Sequence, residues 1–336
     1  MTGQRHRRPR GATAAILLAG TLVVAACSSS DDAPTAASDE PAAPTTDPTT
    51  TGSSAAGTGS PAAGSCPTDP IDVVVSVDQW GDIVEQLAGD CATVHVVIAS
   101  SAVDPHDYEP TSSDALEFDS AELVVVNGAG YDTWAGDLAE NAASAPAVVD
   151  AGVVADVADG ANPHLWYAPD HVTELAQAVT DQMSAISPDA ADYFNERHDA
   201  WTQDMQGYQD TLTTLQADVD GRRYAATESV FDYTATAVGL TDATPEGFAR
   251  AAANESDPAP NDIAAFEQAL RDGEIDVLIY NTQTEGSIPE QIRQVAEEAD
   301  VPVVEVTETV APGASSFEDW QTGQLDRLAD ALGIDG

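Results

Sequence analysis

From Ser187 to Gly221 the chain reads SPDAADYFNERHDAWTQDMQGYQDTLTTLQADVDG. Ser187-Pro188 sets a cap residue before a proline suited to a first helical turn. Apolar or amphipathic side chains then recur at Phe194, His198, Trp201, Met205, Tyr208, Leu212, Leu215 and Val219. The steps alternate four and three, which is one continuous helical face. Gly207 is a mild interruption only, and Gly221 can end the helix. About 32 residues at 1.5 Å each predict a rod of roughly 48 Å, long enough to cross a whole domain.

On both sides of the rod the pattern changes. Before it, apolar β-branched runs occupy 71–77, 94–99, 123–127 and 148–150; after it they recur at 224–227, 277–281 and 301–306. Helical stretches lie between them, for example at 80–87, 262–270 and 289–299. Short apolar runs separated by helices indicate parallel sheets with helices on their faces. The expected fold is therefore α/β: two lobes of parallel β-sheet, 66–187 and 221–336, joined by one long rigid helix at 188–220.

A ligand crevice in an open α/β sheet lies outside the carboxyl ends of its strands. Four candidate metal ligands fall there. His106, in Asp104-Pro105-His106-Asp107-Tyr108-Glu109-Pro110, follows the second run, and His164, in Asn162-Pro163-His164-Leu165-Trp166, follows the fourth. Glu228 closes the 224–227 run and Glu308 closes 301–306. Two ligands from each lobe would converge on the cleft. Two neutral imidazoles and two carboxylates cancel the charge of a divalent ion, which makes its burial tolerable.

The remaining histidines read differently. His95 lies within an apolar strand as a packed or edge residue, His171 faces solvent at a helix start, and His198 packs on the apolar face of the rod. Asn127-Gly128-Ala129-Gly130 lacks the full glycine fingerprint of a phosphate loop and reads as a tight turn near the cleft. Tyr131, Trp134 and Trp166 could wall the metal from water, or could simply be aromatic core.

At the N-terminus, basic residues (Arg5, Arg7, Arg8, Arg10) precede an apolar run from 11 to 26. This is a charged n-region and an h-region too short for the ~20 apolar residues of a spanning helix, a signal peptide over 1–26. It ends in Val24-Ala25-Ala26-Cys27, which resembles the lipobox of bacterial lipoproteins. That resemblance implies lipidation of Cys27 and anchorage on the outer face of the cell membrane, each buried methylene contributing ~0.8 kcal/mol. Residues 27–65 form the anchored stalk, rich in Ser, Thr, Ala, Pro and Gly with no aromatic residue; such a segment cannot bury enough apolar surface to order itself.

The formal charge is −47, from 11 basic and 58 acidic residues. All the basic residues are arginine, and loss of four with the signal leaves 7 − 58 = −51. Nucleic acid is excluded as a partner by that balance. Cys66 and Cys91 remain in an oxidising compartment, where they could pair. Both lie at amino ends of strands, away from the candidate metal site.

Taken together, residues 71 to 332 resemble the zinc/manganese solute-binding lipoproteins of ABC metal importers. The resemblance rests on Asp-Pro-His-x-Tyr-Glu-Pro at 104–110, Asn-Pro-His-x-Trp at 162–166, Glu228-x-x-Phe231, and the closing Val-Thr-Glu-Thr run with Trp320 beyond it. It implies that His106 and His164 bind Mn²⁺ or Zn²⁺ through ring nitrogens, with Glu228 third. The family usually has aspartate fourth, where this chain has Glu308; Glu305 should point to the opposite strand face. Carboxylate ligands suit manganese, while the Irving–Williams order favours zinc and a tetrahedral zinc site is equally drawable. The implied function is extracytoplasmic metal capture by a monomer, for delivery to a cognate ABC permease, without enzymatic chemistry. A surface adhesin with a structural metal is the alternative. A metallohydrolase fits less well, because no His-Glu-x-x-His motif and no extra general base are present.

Overall fold

The structure, a computed structural model, describes residues 65–100, 108–254, 256–284, 286–311 and 313–334. Cys27 with the leader and most of the stalk, and His106, lie outside the described residues. All described residues belong to one compact unit, Gly59–Gly336.

The first half runs β1 Ile71–Val77, α1 Asp78–Ala88, β2 Ala92–Ile98, α2 Ser112–Ser120, β3 Leu123–Val126, α3 Thr133–Asn141, β4 Ala147–Asp150, α4 Ala151–Val154 and α5 Pro169–Ile186. Helices α6 (Ala191–Asp204) and α7 (Gln206–Asp218) follow. The second half runs β5 Arg223–Ala226, α8 Asp232–Val238, β6 Thr241–Asp242, α9 Glu246–Ala252, α10 Pro260–Arg271, β7 Val277–Asn281, α11 Ser287–Glu298, β8 Val303–Val306 and α12 Phe317–Leu332.

Each half holds a four-stranded parallel sheet, ordered β2-β1-β3-β4 and β6-β5-β7-β8. Val74 pairs with Val124 and Val125 with Val149 in the first; Ala225 pairs with Leu278 and Ile279 with Val304 in the second. The central strands are buried almost without alternation, as expected when helices cover both faces. Only β6 escapes the sequence pattern, because its two exposed residues carry no apolar run. In both sheets the order reverses between the first and third strands in sequence, β1 and β3 or β5 and β7. That switch point is where a crevice opens at the carboxyl ends.

The rod is helical from Ala191 to Asp218 with one irregularity, at Met205 (φ −69, ψ −7). Helical hydrogen bonding runs through it: Met205 N donates to Trp201 O at 2.9 Å, and Gln209 N to Met205 O at 3.1 Å. α6 packs on α1 and α5, whereas α7 packs on α8 and α12. One rod therefore serves as a packing partner for both halves. The core is continuous across the join as well, with the Tyr167 ring 5.5 Å from Phe231 and 6.0 Å from Trp320. A second apolar cluster, including Phe248, Phe266 and Ile292, fills the other face of the second sheet.

Cys66 and Cys91 form a disulfide across a sequence separation of 25. It ties the chain before β1 to the short turn before β2, remote from the carboxyl ends of the strands. Reduction is expected to lower unfolding stability by about 3 kcal/mol on loop-entropy grounds. Metal affinity should be unchanged. Denaturant melts with and without reductant, beside a metal titration of each form, check both parts.

Candidate metal centre

His164 stands in the loop that follows β4 and α4, and begins a tight turn over Leu165–Tyr167. Its placement starts at the switch point of the first sheet. Asn127, fully buried just beyond β3, accepts from Trp80 Nε1 at 3.0 Å and donates through Nδ2 to Pro163 O at 2.9 Å. The turn after it is held by Asp132, whose two carboxylate oxygens accept from Asn127 N at 2.7 Å and Gly128 N at 2.9 Å. Gly128 has φ +67, and a Cβ there would lie 2.0 Å from Asp150 Oδ1, so the turn requires glycine. The sequence reading of a tight turn beside the cleft describes this segment.

The tautomer of His164 follows from its partner. Asn162 Nδ2 donates to Ser229 O at 2.8 Å, so its Oδ1 faces the imidazole. That oxygen accepts from His164 N at 3.1 Å and lies 2.7 Å from His164 Nδ1. An amide oxygen can only accept, so Nδ1 carries a proton, and it is the tautomer with its lone pair at Nε2 that a cation would meet. This Nε2 is buried, has no hydrogen-bond partner among the described residues, and sits 3.5 Å from Glu308 Oε1. A buried acceptor left unpaired costs about 1–3 kcal/mol, a cost that a bound cation would remove.

The two glutamates arrive from the second sheet. Glu228 follows β5, and its Oε2 accepts from Asn281 Nδ2 at 2.8 Å and from Thr284 Oγ1. Asn281, the buried last residue of β7, also places Nδ2 3.4 Å from Glu308 Oε1. It occupies in the second sheet the place that Asn127 occupies in the first. Glu308 follows β8, and the backbone beside it is pinned: Thr307 N donates to Gln324 Oε1 at 3.2 Å, and Tyr167 Oη lies 2.7 Å from Thr307 O. Trp320 Nε1 donates to Thr307 Oγ1 at 3.0 Å, and Thr309 N to Gln283 Oε1 at 3.0 Å. Glu305 points outward, to Arg293 at 3.0 Å, as strand alternation predicts.

One ligand atom from each of His164, Glu228 and Glu308 lies within 4.8 Å of the others. Burial, and then the Glu308 carboxylate beside it, raise the Glu228 carboxyl above its ordinary range. A site that strains its own anions in this way favours a cation. A cavity of about 410 Å³ opens on the three side chains, walled by Gly130, Gly160 and Ser229. A larger one, of about 650 Å³, shares the two glutamates and extends past Phe248 and Ile288.

The aromatic residues divide. Trp166 and Tyr131 lie against the His164 ring, at 5.4 and 6.3 Å between centroids. Trp134 instead packs on Tyr108 and Phe118. His95 is exposed on β2, and His198 packs on Trp201. His171 departs from its solvent-facing reading: its ring lies 5.4 Å from Tyr233 with Nδ1 buried. Sequence reasoning assigned no role to Asn162, Asn281 or Thr284. Asn281 had a visible signal, since it ends an apolar run at the edge of the same crevice; Thr284 had none.

The family model described as zinc-uptake complex component A, periplasmic, matches residues 73–331. The manganese-binding lipoprotein MntA of Halalkalibacterium halodurans is 28% identical over 179 residues, 51% of this chain and 58% of that protein. The metal ABC transporter substrate-binding lipoprotein FimA of Streptococcus parasanguinis is 23% identical over 284 residues, 78% of this chain and 89% of that one. Among solved structures, a mutant of the laminin-binding adhesin Lmb of Streptococcus agalactiae superposes with a TM-score of 0.65 at 19% identity. It covers 78% of this chain and 99% of its own, a likeness of fold.

Proposed function

The chain belongs to the family of zinc-uptake complex component A, and from that premise and the site geometry we propose that it captures Mn²⁺ or Zn²⁺ outside the cytoplasm and delivers it to an ABC permease. The observation that carries the reading is the meeting of His164 Nε2, buried and unpartnered among the described residues, with the carboxylates of Glu228 and Glu308. Three such donors, one neutral and two anionic, make a metal site and a poor site for an anion or an apolar ligand. The two carboxylates already balance the charge of a divalent ion, and His106 completes the set as a fourth, neutral ligand. The lipidated Cys27 holds the monomer on the outer membrane face, where the permease waits. Catalysis has no part in this reading, since every candidate acid or base at the centre serves as a ligand.

The test is elemental analysis of protein stripped with chelator and then offered equal Mn²⁺ and Zn²⁺. One equivalent of metal is expected on the wild type and none on a His164→Ala/Glu228→Ala variant. No metal on the wild type would overturn capture and favour a metal-independent surface role.

A further inference from the structure

We infer that Asn281 and Thr284 hold Glu228 to coordination through one oxygen, and so bias the centre toward four-coordinate zinc over manganese. This deepens the metal-capture reading and rests on it. Each carboxylate oxygen offers two lone-pair directions. Both on Glu228 Oε2 are occupied, by Asn281 Nδ2 at 2.8 Å and by the Thr284 hydroxyl. The lone pairs left for a cation are those of Oε1.

The donors cannot readily turn away. Asn281 is 2% exposed, and its Oδ1 accepts from Gln283 N at 3.0 Å, which fixes the amide with Nδ2 toward the carboxylates. Thr284 is the last residue of the same turn, with Thr284 N donating to Asn281 O at 3.4 Å. The turn after β7 thus delivers both donors to one oxygen as a unit. Charge-assisted bonds of this kind are roughly twice as strong as neutral ones, so two-oxygen binding by Glu228 would have to displace strong partners.

Coordination number then decides between cargoes. Zinc is satisfied by four donors in a tetrahedron. Manganese prefers six oxygen-rich positions, which a set of two imidazoles and two glutamates supplies without added water only if both carboxylates bind through both oxygens. Asn281 and Thr284 are positioning residues in this scheme: they act on the cation through Glu228.

The full chain is loaded with Co²⁺ as a spectroscopic probe, and separately with Mn²⁺ and Zn²⁺ in competition, for the wild type, Thr284→Val and Thr284→Ser. Four-coordinate Co²⁺ absorbs intensely in the visible, and added ligands weaken the band. Thr284→Val is expected to weaken it and to shift the Mn²⁺:Zn²⁺ occupancy ratio toward manganese by about 10-fold, the lower end of outer-ligand effects. Thr284→Ser keeps the hydroxyl and should restore both readouts. An identical Co²⁺ spectrum and occupancy ratio in wild type and Thr284→Val would overturn the inference while leaving capture intact. A wild type that binds none of the three cations would overturn both.

Discussion

Replacing His164 with alanine is expected to weaken metal binding by more than about 100-fold while leaving the fold intact. Outer partners of metal ligands typically cost 10–100-fold, and a direct ligand costs more. The fold should survive because two local effects of His164→Ala oppose each other. Removing a ring packed beside Trp166 and Tyr131 leaves a cavity, a destabilisation of about 2–3 kcal/mol. It also removes the buried Nε2 that has no hydrogen-bond partner among the described residues, a relief of about 1–3 kcal/mol. Asn162→Ala provides the graded comparison. It frees the imidazole to change tautomer and cuts the tie to Ser229 O, so affinity should fall by about 10–100-fold with one equivalent still bound at saturation. Competition titrations against a coloured chelator read the affinities, and thermal melts of the metal-free proteins read the fold. A His164→Ala protein that keeps wild-type affinity would remove this histidine from the centre.

The strands and the rod were legible because they obey strong periodicities. A run such as Leu123–Val126, buried on both faces, admits little else than a central parallel strand. The face from Phe194 to Val219 is visible for the same reason, and the structure departs from it only at Met205. Three of the candidate ligands, His164, Glu228 and Glu308, were legible from position, each standing just past a strand end or in the loop beyond it. What a sequence hides is the partner of a partner. Asn162 and Ser229 are 67 positions apart, and nothing local to either shows that their bond sets the tautomer of His164. Thr284 belongs to a turn without pattern, and its contact with Glu228 arises only when β5 and β7 pair. Such links are properties of the assembled crevice.

The metal-free protein is expected to lose stability between about pH 4 and pH 7, the reverse of ordinary acid denaturation. Burial raises Asp78 and Asp232 each to about 6. The two residues correspond: Asp78 opens α1 just after β1, and Asp232 opens α8 just beyond β5. Glu228 is raised as well, by burial and then by Glu308. The sign follows from proton counting. Between the unfolded carboxylate range and the raised native one, the folded chain holds protons that the unfolded chain has released, so folding is favoured at the acid end and penalised as pH rises. A shift of about two units in each aspartate corresponds to up to about 3 kcal/mol per group. Asp114 and Glu267 are lowered and act in the opposite direction, offsetting part of this slope. Mutual repulsion among 58 acidic residues against 11 basic ones adds to the loss toward neutral pH. A divalent cation changes the balance at Glu228, because it binds the ionised form: the stabilisation it confers should grow as pH rises. Denaturant melts from pH 4.5 to 7.5, with and without metal, measure both slopes, and Asp78→Asn with Asp232→Asn should flatten the metal-free one. Stability of the metal-free protein that climbs steadily through this window would show that these carboxyls are ionised in the fold at no cost.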